Sequence, residues 1–182
     1  METKILPPLH SWGNPPKFVP MASTIYHLEM TDRASFRPRK IPDGLDWASM
    51  DPPEAEFNQR LYREVGGMWH WTDRLPWSLD KWREYVGRET LTTCRVLWRG
   101  LEAGYFELEK QDGGSVEIVY FGLLPKMIGK GLGGAMLTLA VSRAWEIPGT
   151  KRVWVHTCTE DHDHALANYR SRGFEVFKVV TV

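Results

Sequence analysis

The sequence has no excess of charge of either sign. Its 182 residues contain 23 lysines and arginines and 23 aspartates and glutamates, so the formal net charge at pH 7 is zero. A neutral chain produces no long-range field that would attract a polyanion. We therefore expect neither nucleic acid nor an anionic membrane as a partner.

Cysteines and long apolar runs are also scarce. The two cysteines, Cys94 and Cys158, are far apart and form no CxxC pair, so the sequence predicts neither a disulfide framework nor a zinc site. No apolar run approaches the roughly 18 residues of a membrane-spanning helix, and the first residues contain no apolar segment of secretory length. With 42% hydrophobic and 25% charged residues, we expect a globular cytoplasmic protein.

Prolines and apolar periodicity divide the chain into an arm and one domain. Prolines crowd residues 1–20 and predict an extended arm, which precedes a single domain over residues 21–182. We predict strands over residues 23–30, 91–98, 101–108, 116–124 and 152–157, with a last strand from Phe174. Helices are expected after Pro53, Ser78 and Leu132 and over 165–171, with a loop from residue 31 to Pro53. This order predicts the α/β class, with antiparallel strands first and later strands that run parallel in one mixed sheet.

A glycine-rich segment is the most informative local feature. In "PKMIGKGLGGAML", Gly129, Gly131, Gly133 and Gly134 separate a predicted strand from a predicted helix. The first amides of a helix have no partner within it, and glycines let a bulky anion approach them. The segment therefore predicts a phosphate site, although a tight turn before a helix would have the same composition. No serine or threonine follows Lys130, so the segment is not a P-loop.

The glycine segment resembles motif A of the GNAT superfamily of N-acetyltransferases, in which Gln or Arg precedes two spaced small residues. Gly131 and Gly133 match the small positions, and Ile128 stands where the family has Gln or Arg. The resemblance implies acetyl-CoA as cosubstrate, with its pyrophosphate on the backbone of Ile128, Gly129, Lys130, Gly131, Leu132, Gly133 and Gly134. It also implies that backbone groups of Phe121, Gly122 and Leu123 bind the pantetheine arm.

A second segment, "YRSRGF", is similar to the terminal signature of the same superfamily. Tyr169, Gly173 and Phe174 match its landmarks, whereas His162 stands at the usual asparagine. The resemblance implies a GNAT-like central sheet with antiparallel N-terminal strands, splayed parallel fourth and fifth strands, and about four flanking helices. Members of the family often dimerise through sheet edges, so a homodimer is among the expected assemblies.

Acetyl transfer to an amine requires a base for the ammonium proton and a proton for the departing thiolate. Glu117 lies on the fourth predicted strand, at the distance before the glycines where histone-acetylating relatives have their glutamate base. Glu107, on the preceding strand, is the alternative, and either residue would otherwise be an ordinary strand residue. By resemblance, Tyr169 binds the coenzyme and protonates its sulfur; the alternative is a core tyrosine. A backbone N–H near Phe121 or Gly122 would bind the oxyanion.

The acceptor amine is expected near an aromatic stretch that, in the family, shapes the acceptor pocket. Trp69, Trp71 and Trp77 offer ring faces, and Arg74 could pair with a substrate carboxylate. A small aromatic or amino-acid-like amine is therefore expected. The same tryptophans could instead fill a core or cover the arm.

Histidines and aspartates cluster near residue 160 without predicting a metal site. His156, His162 and His164 cluster with Asp161 and Asp163, but alternating His and Asp are typical of a solvated turn, and no distal ligand set accompanies them. We therefore predict that no metal is bound.

The combined features predict an N-acetyltransferase that moves an acetyl group from acetyl-CoA to a small-molecule primary amine by direct attack in a ternary complex. Direct transfer requires no covalent enzyme intermediate, so Cys158 is expected only to pack. A protein or peptide acceptor is one alternative. A non-catalytic acyl-CoA-binding module is the other, because the family residues are replaced at Ile128 and His162.

Overall fold

The computed structural model describes residues 23–182, so the predicted arm over residues 1–20 lies outside the described part of the chain. Seven strands and four helices follow in the order β1 Thr24–Met30, β2 Leu45–Ser49, α1 Ala55–Gly66, α2 Leu79–Val86, β3 Leu91–Trp98, β4 Leu101–Gln111, β5 Ser115–Leu123, α3 Gly133–Glu146, β6 Arg152–Cys158, α4 Ala165–Ser171 and β7 Glu175–Thr181. No helix in this range is long and apolar enough to cross a bilayer.

The strands form one mixed sheet in the order β2-β3-β4-β5-β6-β1-β7. β5 and β6 run parallel, and the other neighbouring strands are antiparallel. The parallel pairing covers only Ser115 to Glu117 against Arg152 to Trp154, after which β5 and β6 separate. The predicted α/β class, the antiparallel meander and the splayed parallel pair are therefore confirmed.

One feature of the sheet differs from the sequence prediction, and a second was left open by it. The segment predicted as a loop from residue 31 to Pro53 contains strand β2, which pairs with β3 and extends that edge of the sheet. β1 lies between β6 and β7, so it does not adjoin the meander. Its inward residues Leu28 and Met30 are fully buried, but an alternating pattern specifies only which face is buried, not which strand is the neighbour.

The turns and helix ends follow from local residue chemistry. Arg99 and Gly100 join β3 to β4 with φ angles of 52° and 77°, the signs that a two-residue type I′ hairpin turn requires. The Ser78 side chain accepts a hydrogen bond from the Lys81 amide at 3.3 Å and caps α2. In α1, Phe57, Leu61 and Val65 recur every four residues and form its buried stripe.

The helices cover the two faces of the sheet. Tyr105 and Glu107 of β4 contact α1 and α2, whereas Phe106, between them, faces the opposite side. That opposite side is covered by α3, most of whose residues are buried. The gap between β5 and β6 thus opens between two helical layers, and this gap positions the site.

Candidate active site

A cavity of about 950 Å³ occupies the gap between β5 and β6. It begins at the glycine segment before α3 and reaches the loop after α1, on the other face of the sheet. Of the residues predicted to form the site, the cavity is lined by Trp69, Trp71, Phe121, Gly122, Leu123, Ile128, Gly129, Gly131, Leu132, Gly133, Gly134 and Tyr169. Lys130, Glu117, Glu107, Arg74 and Trp77 are not among the lining residues.

An irregularity in β5 shapes the central part of the cavity. Leu108 pairs with Ile118 but Glu107 pairs with Tyr120, so Val119 is an extra residue, a β-bulge, in β5. Beyond the bulge, β5 pairs with β4 on one side and has no partner on the β6 side. The backbone groups that face β6 there are available to a ligand.

The glycine segment leaves open space at the start of α3. Gly129 and Gly131 have φ angles of 80° and 73°, and a Cβ atom at either position would have no atom within 4 Å. α3 begins at Gly133, and no side chain caps its first turn. The amides of this turn and the partial positive charge of the helix end can therefore bind an anion.

Two arginines approach the same helix end, and the sequence analysis missed both. A Cβ on Gly134 would lie 3.1 Å from Cδ of Arg39 and 3.4 Å from Nη1 of Arg172. Nε and Nη1 of Arg172 are buried without a hydrogen-bond partner, and no carboxylate in residues 23–182 forms an ion pair with either arginine. Burial and the charge of Arg39 lower the pKa of Arg172. A bound anion at this position would give the buried Arg172 nitrogens a partner and would offset the repulsion between the two arginines.

The long loop before β2 places Arg39 at the cavity. Its backbone N–H donates to Oγ1 of Thr138 in α3 at 2.9 Å, and the neighbouring Arg37 N–H donates to the carbonyl of Arg172 at 3.0 Å. No local pattern in the sequence connects Arg39 with the glycine segment. Arg172 lies inside the "YRSRGF" signature, so of the two arginines it alone could have been linked to the site from the sequence.

Tyr169 lies in the wall of the cavity between two other aromatic rings. Its ring meets Phe121 and Phe174 edge to face, with centroids 6.2 and 6.0 Å away. Burial, with a smaller contribution from the Asp161 carboxylate, raises the pKa of Tyr169 well above its ordinary value. Its hydroxyl therefore stays protonated at neutral pH and can donate a hydrogen bond.

Glu117 is close to the cavity but does not line it. Gln111 Nε2 donates to one carboxylate oxygen at 2.8 Å, and His156 Nδ1 lies 3.5 Å from the other. The Glu117 side chain is only 12% exposed, whereas that of His156 is 48% exposed and His156 lines the cavity. From the sequence, His156 was expected only as a member of the histidine cluster that binds no metal.

Glu107 is fully buried under α1 and α2. Its carboxylate accepts hydrogen bonds from Asn58 Nδ2 at 2.8 Å and from the Tyr85 hydroxyl. Burial raises the pKa of Glu107, while the Tyr85 hydrogen bond and the Arg74 charge oppose the rise. The structure does not bring this carboxylate to the cavity wall.

Arg74 points into an aromatic cage and away from the cavity. Its guanidinium carbon lies 4.7 Å from the ring centroid of Trp77, 3.8 Å from that of Tyr85 and 4.6 Å from that of Tyr120. The Arg74 amide also donates to the Tyr62 hydroxyl at 3.1 Å. The arginine stabilises the core beside Glu107, so the expected pairing of Arg74 with a substrate carboxylate loses its structural support.

The remaining predicted acceptor residues divide between core and cavity. Trp77 packs on Trp82 at a centroid distance of 5.3 Å and belongs to the core under α2. Trp71 packs on Tyr120 at 4.8 Å, and Trp69 packs on His162 at 5.4 Å. Trp69 and Trp71 thus present aromatic surface to the cavity, as does Tyr120.

The aspartate and histidine cluster forms a turn. Oδ2 of Asp161 accepts from Thr157 Oγ1 at 2.6 Å and from the Cys158 amide at 3.0 Å, so this carboxylate fixes the chain after β6. His162 Nδ1 accepts from the His164 amide at 3.1 Å. Within residues 23–182, no three His, Cys, Asp or Glu side chains converge as metal ligands would.

Comparison with known proteins identifies the family. The family model described as "Acetyltransferase (GNAT) family" matches residues 45–174. No match was found among curated proteins. Among solved structures, a GCN5-related N-acetyltransferase from Kribbella flavida superposes with a TM-score of 0.62 at 19% identity over 88% of this chain. A GCN5-related N-acetyltransferase from Sphaerobacter thermophilus gives 0.68 at 17% identity, also over 88%.

This chain spans 58% and 50% of the lengths of those two proteins. Spermidine N-acetyltransferase from Vibrio cholerae, solved in complex with CoA and spermine, gives a TM-score of 0.60 at 18% identity, covering 74% of this chain and 82% of its own. At such identities the likeness shows the fold, and the match of the family model to most of the chain shows the family. The chain belongs to the GNAT family of acetyltransferases.

Proposed function

We propose that this protein is an N-acetyltransferase that moves an acetyl group from acetyl-CoA to the primary amine of a small molecule. The observation that carries the proposal is the single cavity between β5 and β6, which joins the anion-binding end of α3 to aromatic residues on the other face of the sheet. One end suits a charged coenzyme, and the other suits an organic amine.

The residues at the glycine end fit a coenzyme diphosphate. The open space at Gly129 and Gly131, the uncapped first turn of α3 and the two buried nitrogens of Arg172 all suit a bulky anion. We assign the pyrophosphate to the backbone from Ile128 to Gly134, Lys130 included, with charge neutralisation by Arg39 and Arg172. The β6-facing backbone of Phe121, Gly122 and Leu123 would bind the pantetheine arm.

Acetyl-CoA would supply an activated acetyl group, which the amine attacks directly in a ternary complex. Tyr169 lines the cavity with its hydroxyl protonated, so we assign it the proton that the coenzyme sulfur requires. We assign removal of the ammonium proton to the site of the Glu117 carboxylate, which reaches the cavity through His156 in the cavity wall. A backbone N–H near Phe121 or Gly122 would bind the carbonyl oxygen.

The acceptor end of the cavity favours a cationic or aromatic amine. Trp69, Trp71 and Tyr120 supply ring faces, and Asp73 supplies negative charge. An amino-acid-like acceptor has less support, because Arg74 is engaged in its cage. The structural likeness to an enzyme named for spermidine also supports a small amine. The cytoplasmic location and the homodimer stay predictions, which cell fractionation and analytical ultracentrifugation would test.

The test is a free-thiol assay with acetyl-CoA and a panel of polyamines, aromatic amines, amino acids and peptides, with products identified by mass spectrometry. Coenzyme A release with small amines and acetylated amine products are expected. Acetylation of peptides alone would contradict the small-molecule assignment. Coenzyme binding without thiol release for any acceptor would favour a non-catalytic acyl-CoA-binding module.

A further inference from the structure

Four side chains form a connected polar chain on the face of the sheet that carries α1 and α2. Trp154 Nε1 donates to Gln111 Oε1 at 2.9 Å, and Gln111 Nε2 donates to Glu117 Oε2 at 2.8 Å. The other oxygen of Glu117, Oε1, faces His156 Nδ1 at 3.5 Å. Both polar atoms of the Gln111 side-chain amide are thus engaged, and Gln111 holds the carboxylate in the orientation that presents Oε1 to the histidine.

The two ends of this chain differ in their access to the cavity. Glu117 is nearly enclosed and is absent from the cavity wall, whereas His156 lies in the wall and is about half exposed. His156 stands on β6 opposite β5, at the point where the two strands have separated. A proton that leaves an amine in the cavity therefore meets the imidazole before it meets the carboxylate.

We propose that His156 is the catalytic base of this protein and that Glu117 and Gln111 are positioning residues that act through it. The inference rests on the proposed acetyltransferase function and refines the role of Glu117. With Nδ1 directed at the carboxylate, the neutral ring carries its proton on Nδ1 and leaves Nε2 free to accept one. The nearby carboxylate stabilises the imidazolium that forms when Nε2 takes a proton.

The proton balance is consistent with this arrangement. An ammonium substrate loses two protons when it becomes an amide: one leaves to solvent, and the other ends on the coenzyme sulfur. His156 Nε2 takes the first proton and, because the ring is about half exposed, passes it to water. The bond that forms joins nitrogen to the acetyl carbon, and the bond that breaks joins that carbon to sulfur. Tyr169 donates its proton to the sulfur, and the second nitrogen proton, released as the carbon–sulfur bond breaks, restores the Tyr169 hydroxyl through water.

The charged and titratable groups around His156 come from three other strands. Glu117 of β5 favours the imidazolium, and the His27 ring of β1 lies tilted against the His156 ring, with centroids 5.9 Å apart. Burial lowers the pKa of His27, and the charges of His156 and of Lys178 in β7 lower it further. The Glu117 carboxylate opposes this shift. His27 therefore stays neutral near pH 7 and does not repel a proton on His156, which leaves Glu117 as the main charge acting on the base.

The kinetic test compares His156→Gln, Glu117→Gln and the double variant, using an amine that the wild-type protein acetylates. His156→Gln is expected to lower kcat/KM at pH 7 by about 10²-fold or more, the usual contribution of a general base. The deficit should shrink as pH approaches about 10, where alkylamines lose their proton in solution. A fluorinated amine that is already neutral at pH 7 should show little deficit. The double variant should be no slower than His156→Gln, since both residues serve one step.

His27→Gln is the matched control, because it removes a neighbouring imidazole from the same face outside the cavity wall. It is expected to keep kcat/KM within about twofold, because His27 lies outside the cavity wall and takes no part in the proton transfer. Wild-type rate in His156→Gln together with a slow Glu117→Gln would overturn the inference and leave the proposed function intact. Absence of thiol release by the wild-type protein with every amine would overturn both.

A second measurement does not depend on turnover. In nitrogen-15 NMR spectra at high pH, the wild-type His156 ring should show the pattern of the Nδ1–H tautomer. Glu117→Gln should move it towards the Nε2–H form that free histidine favours in water, while His27→Gln should leave it unchanged. If the His156 tautomer is the same in the wild type and in Glu117→Gln, Glu117 does not position the ring and the inference is wrong.

Discussion

Replacing Arg74 by methionine perturbs the buried charges under α2. The arginine stacks against Trp77, Tyr85 and Tyr120, and its charge acts on the fully buried Glu107 carboxylate. Methionine fills much of the same volume but supplies neither the charge nor the planar stack. The carboxylate would then be buried beside Asn58 and Tyr85 alone.

The magnitude follows from the burial of the two groups. Removing one member of a buried ion pair costs about 3–5 kcal/mol, but Arg74 and Glu107 form no direct ion pair and Arg74 is only partly buried, so we expect a smaller loss of about 2–3 kcal/mol. For a domain of this size, each kcal/mol lowers the melting temperature by roughly 2–4 °C. At pH 8 we therefore expect Arg74→Met to lose about 2–3 kcal/mol in urea unfolding followed by tryptophan fluorescence.

The loss should depend on pH with a definite sign. Burial already raises the pKa of Glu107 in the folded protein, and removal of Arg74 raises that pKa further. Because its pKa is higher in the folded state, the protonated Glu107 carboxyl favours folding. This contribution is fully present below the unfolded pKa of about 4.3 and is lost as the pH rises through the folded pKa. At pH 5 the deficit should therefore shrink to roughly the 1–2 kcal/mol of the cation–π contacts.

Two further variants complete the test. Glu107→Gln added to Arg74→Met should recover part of the loss at pH 8, since no charge is then left buried. Arg83→Met, which removes an exposed arginine of α2 from Glu56 and Asp80, should cost less than about 1 kcal/mol. If Arg74→Met costs no more than Arg83→Met, or costs the same at pH 5 and pH 8, the interpretation as buried charges is wrong.

Three other predictions concern the cavity. Tyr169→Phe should lower kcat by about 10²-fold in the thiol assay with little change in the calorimetric Kd for coenzyme A, because only the proton donor is lost. Gly131→Ala should raise that Kd at least about tenfold, since φ is 73° and the added methyl group would enter the anion cradle. Arg172→Gln should also raise the Kd about tenfold and weaken the dependence of binding on salt, because a charged contact to phosphate is lost.

Matched variants separate these effects from changes in stability. Gly113→Ala introduces a methyl group at nearly the same φ, 72°, also with no atom within 4 Å but outside the cavity, so it should leave the coenzyme Kd unchanged. Arg170, two residues earlier, lines a separate pocket with Glu175 and is not among the nearest neighbours of Gly134, so Arg170→Gln should weaken binding less than Arg172→Gln. If the coenzyme Kd changes equally in the two glycine variants, or equally in the two arginine variants, the assignment of the coenzyme end is wrong. If Tyr169→Phe raises the coenzyme Kd, Tyr169 is not a proton donor alone.

The strands and helices whose formation depends only on nearby residues could be predicted from the sequence. The strand Leu91–Trp98 and the helix Ala165–Ser171 have the predicted bounds, because alternation and capping act over a few residues. The helix that follows the glycine segment also begins where its composition indicated, at Gly133. The short strand β2 was missed because Pro42, Gly44 and Pro52 around it predict a loop, and only pairing with β3 makes it a strand.

The strands and helices other than β2, the glycine segment and the family signature could be predicted from the sequence by itself, because each is encoded in consecutive residues. Tertiary structure alone decided that Arg74 stabilises a core, that Arg39 reaches the helix end and that His156 stands between Glu117 and the cavity. These contacts join segments far apart in the chain. Local propensity and periodicity constrain only neighbouring residues, whereas the pairing of strands and the burial of charges select among distant partners that no local pattern distinguishes.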